Sequence, residues 1–294
     1  GICNKTAGAL SPLILSSILL ARASSVEASI NSAATPAIRE QLLVELAHRV
    51  ILPYAIMTVV LIGLGMMIWL SPLPEIDMEK EDASDSAPRA AKTSVLQFPH
   101  LILGVFCIFV YVGAEVISGD VIGPYGRSLG FSLDVTKNFT SLTLACMLVG
   151  YTIGIITIPK FIKQESALKG SALLGLVFVA LAAVTPGYYS ISFIALLGLA
   201  NAVMWPAIFP LAIDGLGRFT KIGSALLIMG IAGGAVIPQL YGRLTLAMSP
   251  QAAFLISMLP CYLYILYYSS YGYRAGRRKS GEKTSVLEPA SLSS

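Results

Sequence analysis

Charge is scarce in this chain. Asp, Glu, Lys and Arg make up 12% of its 294 residues, about half the share of an ordinary soluble domain. A globule of that composition would have too little polar surface to face water. Histidine is rarer still: His48 and His100 are the only two, and both stand at the edges of apolar stretches, which weighs against a metal centre or a histidine general base. The four cysteines, Cys3, Cys107, Cys146 and Cys261, lie inside apolar stretches without CxxC or finger spacing and read as small apolar residues. The G-x-S-x-G, HExxH, Walker A and Rossmann fingerprints are also missing. No catalytic residue, metal or cofactor is therefore assigned, and an ATP-driven cycle is excluded. The net charge of +4 sits mostly in loops, where it reports orientation rather than a nucleic-acid partner.

What the chain has instead is long hydrophobic runs. Apolar residues make up 55% of it, gathered in eight blocks at roughly 2–21, 50–71, 99–119, 139–159, 168–185, 189–212, 222–242 and 251–271. Each is near the ~20 residues that cross a bilayer. In lipid the backbone must satisfy its own hydrogen bonds, and the blocks lack the two-residue alternation of barrel strands, so helices are expected. The fold class is an all-α membrane protein of seven or eight spans.

Two segments interrupt this pattern. Residues 22–49 are mixed in charge, and the part after Pro36 has the apolar spacing of a short surface helix. Residues 73–97 carry Glu75, Asp77, Glu79, Glu81, Asp82 and Asp85 among Ser, Ala and Pro and read as a solvated linker between two helices and six. Placing that linker in the cytoplasm puts Lys160, Lys163, Lys169, Arg218, Lys221 and the bases from Arg274 to Lys283 on the same side. The other side keeps Arg22, Arg39, Arg49, Arg127, Lys137 and Arg243. The positive-inside rule then places linker and C-terminus in the cytoplasm.

Several residues inside the blocks stand out. Gly150 with Gly154, and Gly230 with Gly234, have the spacing that lets helix backbones approach closely. Pro206, Pro210 and Pro238 each remove a helix hydrogen bond and are expected to kink their helices. Glu115 is the most informative, because a carboxylate at membrane depth costs several kcal/mol, by scales giving about 2.5 to 3.5. It either lines a polar cavity or lies near enough to the outer interface to be hydrated. Tyr111, one turn earlier, shares its face. Asn201 and Trp205, also one turn apart, pair an amide with an aromatic ring. That pairing suits a sugar, whose hydroxyls need donors and acceptors and whose C–H face packs on rings. The alternative is an amide bonding between helices beside a tryptophan in the packing seam. Gln239 is a weaker candidate, since it follows Pro238 and would also serve to satisfy carbonyls freed by a kink. Asp214 and Arg218 share the turn DGLGRFTK, as a gate-like pair or as a plain solvated turn.

Together the runs GICNKTAGALSPLIL, SPLPEID, SVLQFPHLILGVFCIFVYVGAEV, IPKFIKQESALKG and LLGLANAVMWPAIFPLAIDGLGRFTKIGSALLIMGIAGGAVIPQLYG resemble the C-terminal two-thirds of a major facilitator superfamily sugar transporter. The branch is that of the fucose permease and the bacterial glucose/galactose transporters. The resemblance implies a twelve-helix fold, with the eight blocks as helices five to twelve. Residues 1–72 would then close the N-terminal six-helix half, 73–97 form the central cytoplasmic loop, 98–272 the C-terminal half and 273–294 a cytoplasmic tail. It further implies a multi-pass protein of the bacterial inner membrane that moves a hexose by alternating access, coupled to a proton or to sodium. Tyr111 and Glu115 on helix seven, and Asn201 and Trp205 on helix ten, would line the midplane cavity. The coupling carboxylates of the fucose permease lie on helices one and four, which this chain does not contain. The chain, which starts at Gly1, is accordingly read as a fragment preceded by four further spans. A sugar sensor that kept the fold without transporting is the alternative, and a membrane-embedded enzyme is disfavoured by the lack of paired catalytic groups.

Cysteines introduced into the 73–97 linker and beyond Arg274 are expected to react with a membrane-impermeant maleimide only from the cytoplasmic face. Labelling of either site in intact cells would reverse the topology.

Overall fold

The computed structural model describes residues 35–71, 94–158 and 160–276, together with 6–8, 10–11, 29–30 and 32. Most of the first apolar block, most of the 73–97 linker and the tail beyond residue 276 lie outside the described residues. Among those described there is no strand. Seven helical segments are long and apolar enough to cross a membrane: Ile51–Leu70, Pro99–Gly119, Leu133–Thr157, Gln164–Val184, Gly187–Ile213, Gly217–Leu244 and Pro250–Ser270. They coincide with the seven remaining apolar blocks, and the chain is a multi-pass membrane protein.

Helix α1 runs unbroken from Pro36 to Leu70. Thr35 caps it, accepting from the Ile38 N–H at 3.4 Å, and Pro36 occupies the first turn, where a missing N–H costs nothing. The short surface helix expected after Pro36 is thus not a separate element. No break falls between Pro36 and Ser71, and Pro53 is absorbed within the helix, so the polar turns and the span form one rod. No part of Ile51–Leu70 is buried, and Trp69 is 83% exposed. Apolar surface on every side of a helix suits lipid or further helices.

The other six spans pack together. Their helices are α2 (Pro99–Gly119), α3 (Ile122–Ser128), α4 (Leu133–Thr136), α5 (Phe139–Thr157), α6 (Gln164–Val184), α7 (Gly187–Asn201), α8 (Met204–Ile213), α9 (Thr220–Met229), α10 (Gly233–Leu244) and α11 (Pro250–Ser270). Helix α2 is the hub, lying against α7, α8, α10 and α11. Two spans are discontinuous. The first breaks at Ala202 and Val203, between α7 and α8; Pro206 has no N–H to give the Ala202 carbonyl, so the α-helical ladder stops there. The second passes through a 3₁₀ turn at Gly230–Ala232, between α9 and α10. Pro210 and Pro238, also expected to kink their helices, lie inside unbroken ones.

Both GxxxG pairs stand at helix crossings. A Cβ on Gly150 would come within 2.7 Å of the Leu199 carbonyl, and one on Gly154 would strike Val203, so α5 is fitted against the α7–α8 break. A Cβ on Gly230 would lie 2.9 Å from the Val105 carbonyl, and one on Gly234 3.0 Å from Val112. Tighter still are Gly198 against the Thr143 carbonyl and Gly233 against that of Phe109. In lipid, where apolar surface gains little by leaving its solvent, such backbone contact is a main source of helix association.

Polar bonds tie the two ends of the bundle. Beyond the C-terminal end of α2, Tyr125 donates to Ser190 Oγ at 2.7 Å, and Ser190 in turn donates to the Ala182 carbonyl at 2.7 Å. Burial pushes the Tyr125 phenol above its ordinary pKa, and the bond to Ser190 offsets part of the rise. At the other end His100 Nε2 donates to the Asp214 carbonyl at 3.1 Å, and Tyr268 donates to the His100 carbonyl at 3.4 Å.

Gly198→Val and Gly233→Val drive a side chain into a facing carbonyl. Each is expected to lower stability in detergent by ~1–3 kcal/mol, the usual cost of overpacking. Gly170→Ala, where nothing lies within 4 Å, should stay within about 0.5 kcal/mol of the parent.

Candidate functional site

Helix α2 carries Tyr111, Glu115 and Ser118 at i, i+4 and i+7, so all three share one face. Glu115 is half-buried. The Tyr111 phenol is its hydrogen-bond partner, and the carboxylate also acts electrostatically on Tyr151 of α5 and Tyr262 of α11. Tyr111 itself is 1% exposed and stands behind the carboxylate. The Trp205 ring lies beside it at 6.4 Å between centroids, tilted by 52°. Phe209, one turn on, stacks with Trp205 at 6.2 Å and 23°. Trp205, Phe209 and Tyr151 are all half-exposed. The result is an aromatic surface with one carboxylate set into it.

Asn201 lies behind this surface and has no exposed area. Its Nδ2 donates to Ser118 Oγ at 3.0 Å, and its Oδ1 accepts from the Tyr262 hydroxyl at 2.7 Å. Ser118 Oγ donates to the Glu115 carbonyl at 2.9 Å, and Thr143 donates to the Ser118 carbonyl at 3.0 Å. In this structure the amide makes the inter-helix bonds that the sequence leaves open as its alternative role. Gln239 is exposed and stands apart. It is two residues, about 200° of helix rotation, from Ile237, whose side chain seats against Gly113 of α2.

Four of the five residues singled out from sequence, Tyr111, Glu115, Asn201 and Trp205, therefore come together on or behind one surface, and Gln239 does not join them. Sequence reasoning missed Tyr151, Phe209, Ser118, Thr143 and Tyr262. Phe209 repeats the one-turn step from Asn201 to Trp205, and Ser118 the step from Glu115, so both were within reach of a face argument. Tyr151, Thr143 and Tyr262 carry no such local signal. Among the described residues no group of three or more His, Cys, Asp or Glu is placed to hold a metal ion. A carboxylate, phenols and ring faces can bind hydroxyl-rich, uncharged molecules.

These features define a multi-span α-helical membrane protein with a polar, aromatic-walled site at the junction of its discontinuous span and its hub helix. The fold is that of the major facilitator superfamily. A crystal structure of the major facilitator superfamily transporter FucP in the outward conformation matches it with a TM-score of 0.61 and 24% identity, over 83% of this chain and 59% of that one. By sequence the chain is similar to bacterial glucose/galactose transporters. It is 31% identical over 234 residues to the glucose/galactose transporter of Brucella abortus, covering 77% of this chain and 54% of that protein. To the putative glucose/galactose transporter of Helicobacter pylori it is 29% identical, over 78% of this chain and 56% of that protein. To the L-fucose-proton symporter of Escherichia coli it is 25% identical, over 65% and 44%. The chain thus spans about half the length of the curated relatives it matches. No family model matches it.

Proposed function

We propose that the full-length protein is a secondary active transporter of a glucose- or galactose-type hexose, working by cation symport and alternating access rather than by enzymatic chemistry. The observation that carries this reading is the half-buried Glu115 carboxylate, bonded to Tyr111, whose own ring lies beside that of Trp205. The carboxylate accepts from sugar hydroxyls, the phenols donate or accept, and the indole covers the C–H face of the pyranose. Asn201 serves the site from behind, and Gln239 is left outside it. The names of the relatives support the sugar class, and the L-fucose-proton symporter favours a proton over sodium as the coupling ion. The bacterial sources of the relatives support an inner-membrane protein, and the count of bases supports a central loop and C-terminus on the cytoplasmic side.

Uptake of labelled hexose into vesicles carrying the full-length protein tests the reading. Binding without accumulation would favour a sensor. Glu115→Gln keeps the shape, turns one acceptor into a donor and removes the charge. Hexose affinity is expected to weaken by ~1–3 kcal/mol, the cost of a mismatched buried polar group, or roughly 5- to 100-fold. If Glu115 instead carries the coupling proton, sugar exchange persists while accumulation against a gradient is lost. Wild-type affinity together with wild-type accumulation in the variant would remove Glu115 from the site.

A further inference from the structure

The hydrogen bonds behind the aromatic surface have a fixed direction. A serine hydroxyl has one proton, and that of Ser118 is given to the Glu115 carbonyl. Ser118 Oγ must therefore accept from Asn201 Nδ2, which turns Asn201 Oδ1 toward the Tyr262 hydroxyl, its donor. The sequence of donation runs from Tyr262 through Asn201 and Ser118 to the peptide of Glu115. Tyr262, Asn201 and Ser118 each have no exposed surface, so water cannot replace a lost member. The head of the relay is itself held in place. The Tyr262 ring lies flat against Gly175 of α6, where any Cβ would collide with it, so the phenol has one seat.

We propose that Tyr262 is a positioning residue for the hexose site. It acts through Asn201 and Ser118 to set the place and orientation of Glu115; the proposal rests on the sugar-binding reading above. Two further helices, α7 and α11, are joined through Ser118 to the backbone carbonyl of the residue whose carboxylate meets the ligand. The placement of Asn201 adds a second consequence. It is the last residue of α7, just before the break, whereas Trp205 stands on α8 just after it. The relay thus ties α2 to the α7 side of the break, while Trp205 packs beside Tyr111 of α2 from the α8 side.

Hexose binding and exchange by the full-length protein in proteoliposomes test this. Tyr262→Phe keeps the ring on Gly175 and deletes the donor. The apparent KM is expected to rise by about 5- to 10-fold, as for one lost buried hydrogen bond, with the maximal exchange rate little changed. In a Glu115→Gln background the same substitution should add less than its single effect. Ser118→Ala should raise KM in the same way, and Ser118→Thr, which keeps the hydroxyl, should restore it. These two carry the test if Tyr262→Phe does not fold. A Tyr262→Phe or Ser118→Ala protein that is less thermostable but has an unchanged KM, or effects that are additive with Glu115→Gln, would overturn the proposal. Should Glu115→Gln itself leave KM unchanged, the sugar-site reading fails first. If Glu115→Gln shifts KM and the relay variants do not, only the positioning role fails.

Discussion

A bilayer offers no hydrogen bonds, so every polar atom within it must find a partner in the protein. In this chain that constraint selects what the apolar runs cannot. Helices answer it for the backbone; side chains such as Thr152, Ser192 and Ser257 answer it by donating to carbonyls of their own helices, and a few answer it by bonding to one another. Glu115 bonds to Tyr111, Asn201 bridges Tyr262 and Ser118, and Thr143 reaches the Ser118 carbonyl. The same atoms that satisfy the constraint hold α2, α5, α7 and α11 in register around one surface.

Close backbone approach supplies the rest of the cohesion. Where α5 meets α7, and where α10 meets α2, the contacts fall on Gly198, Gly150, Gly233 and Gly234. These crossings bring the peptide planes within reach of short polar side chains. Without the glycines at 198 and 150, α5 could not stand close enough to bring Thr143 to the end of α2. Packing and polar satisfaction are one design problem here.

Much of this was legible from sequence, because lipid enforces simple lengths and spacings. Seven of the eight apolar blocks reappear as spans, and the pairing of Tyr111 with Glu115 follows from one turn of helix. The rest was not local. Asn201 takes its partners 83 and 61 residues away, and with 13 tyrosines in the chain nothing marks Tyr262 as the one that matters. Spacing announced a surface helix after Pro36 but not that it fuses with the span, since continuity depends on the lack of a stop rather than on a signal. Proline was also an incomplete guide. Pro206 coincides with a break, whereas Pro210 and Pro238 lie inside continuous helices.

The interruption between α7 and α8 has an electrical side as well as a mechanical one. Pro206 denies the Ala202 carbonyl its helical donor, so a peptide dipole of this span goes without its partner in the ladder. Ala202 has no exposed surface, so water screens that dipole little. A continuous helix would have left this stretch neutral. The break instead leaves a local field about one turn before Trp205, on the aromatic wall of the site. Bending at Ala202 and Val203 would turn that field, so a change of shape in this span is at the same time a change in the potential that any ion or hydroxyl in the cavity experiences.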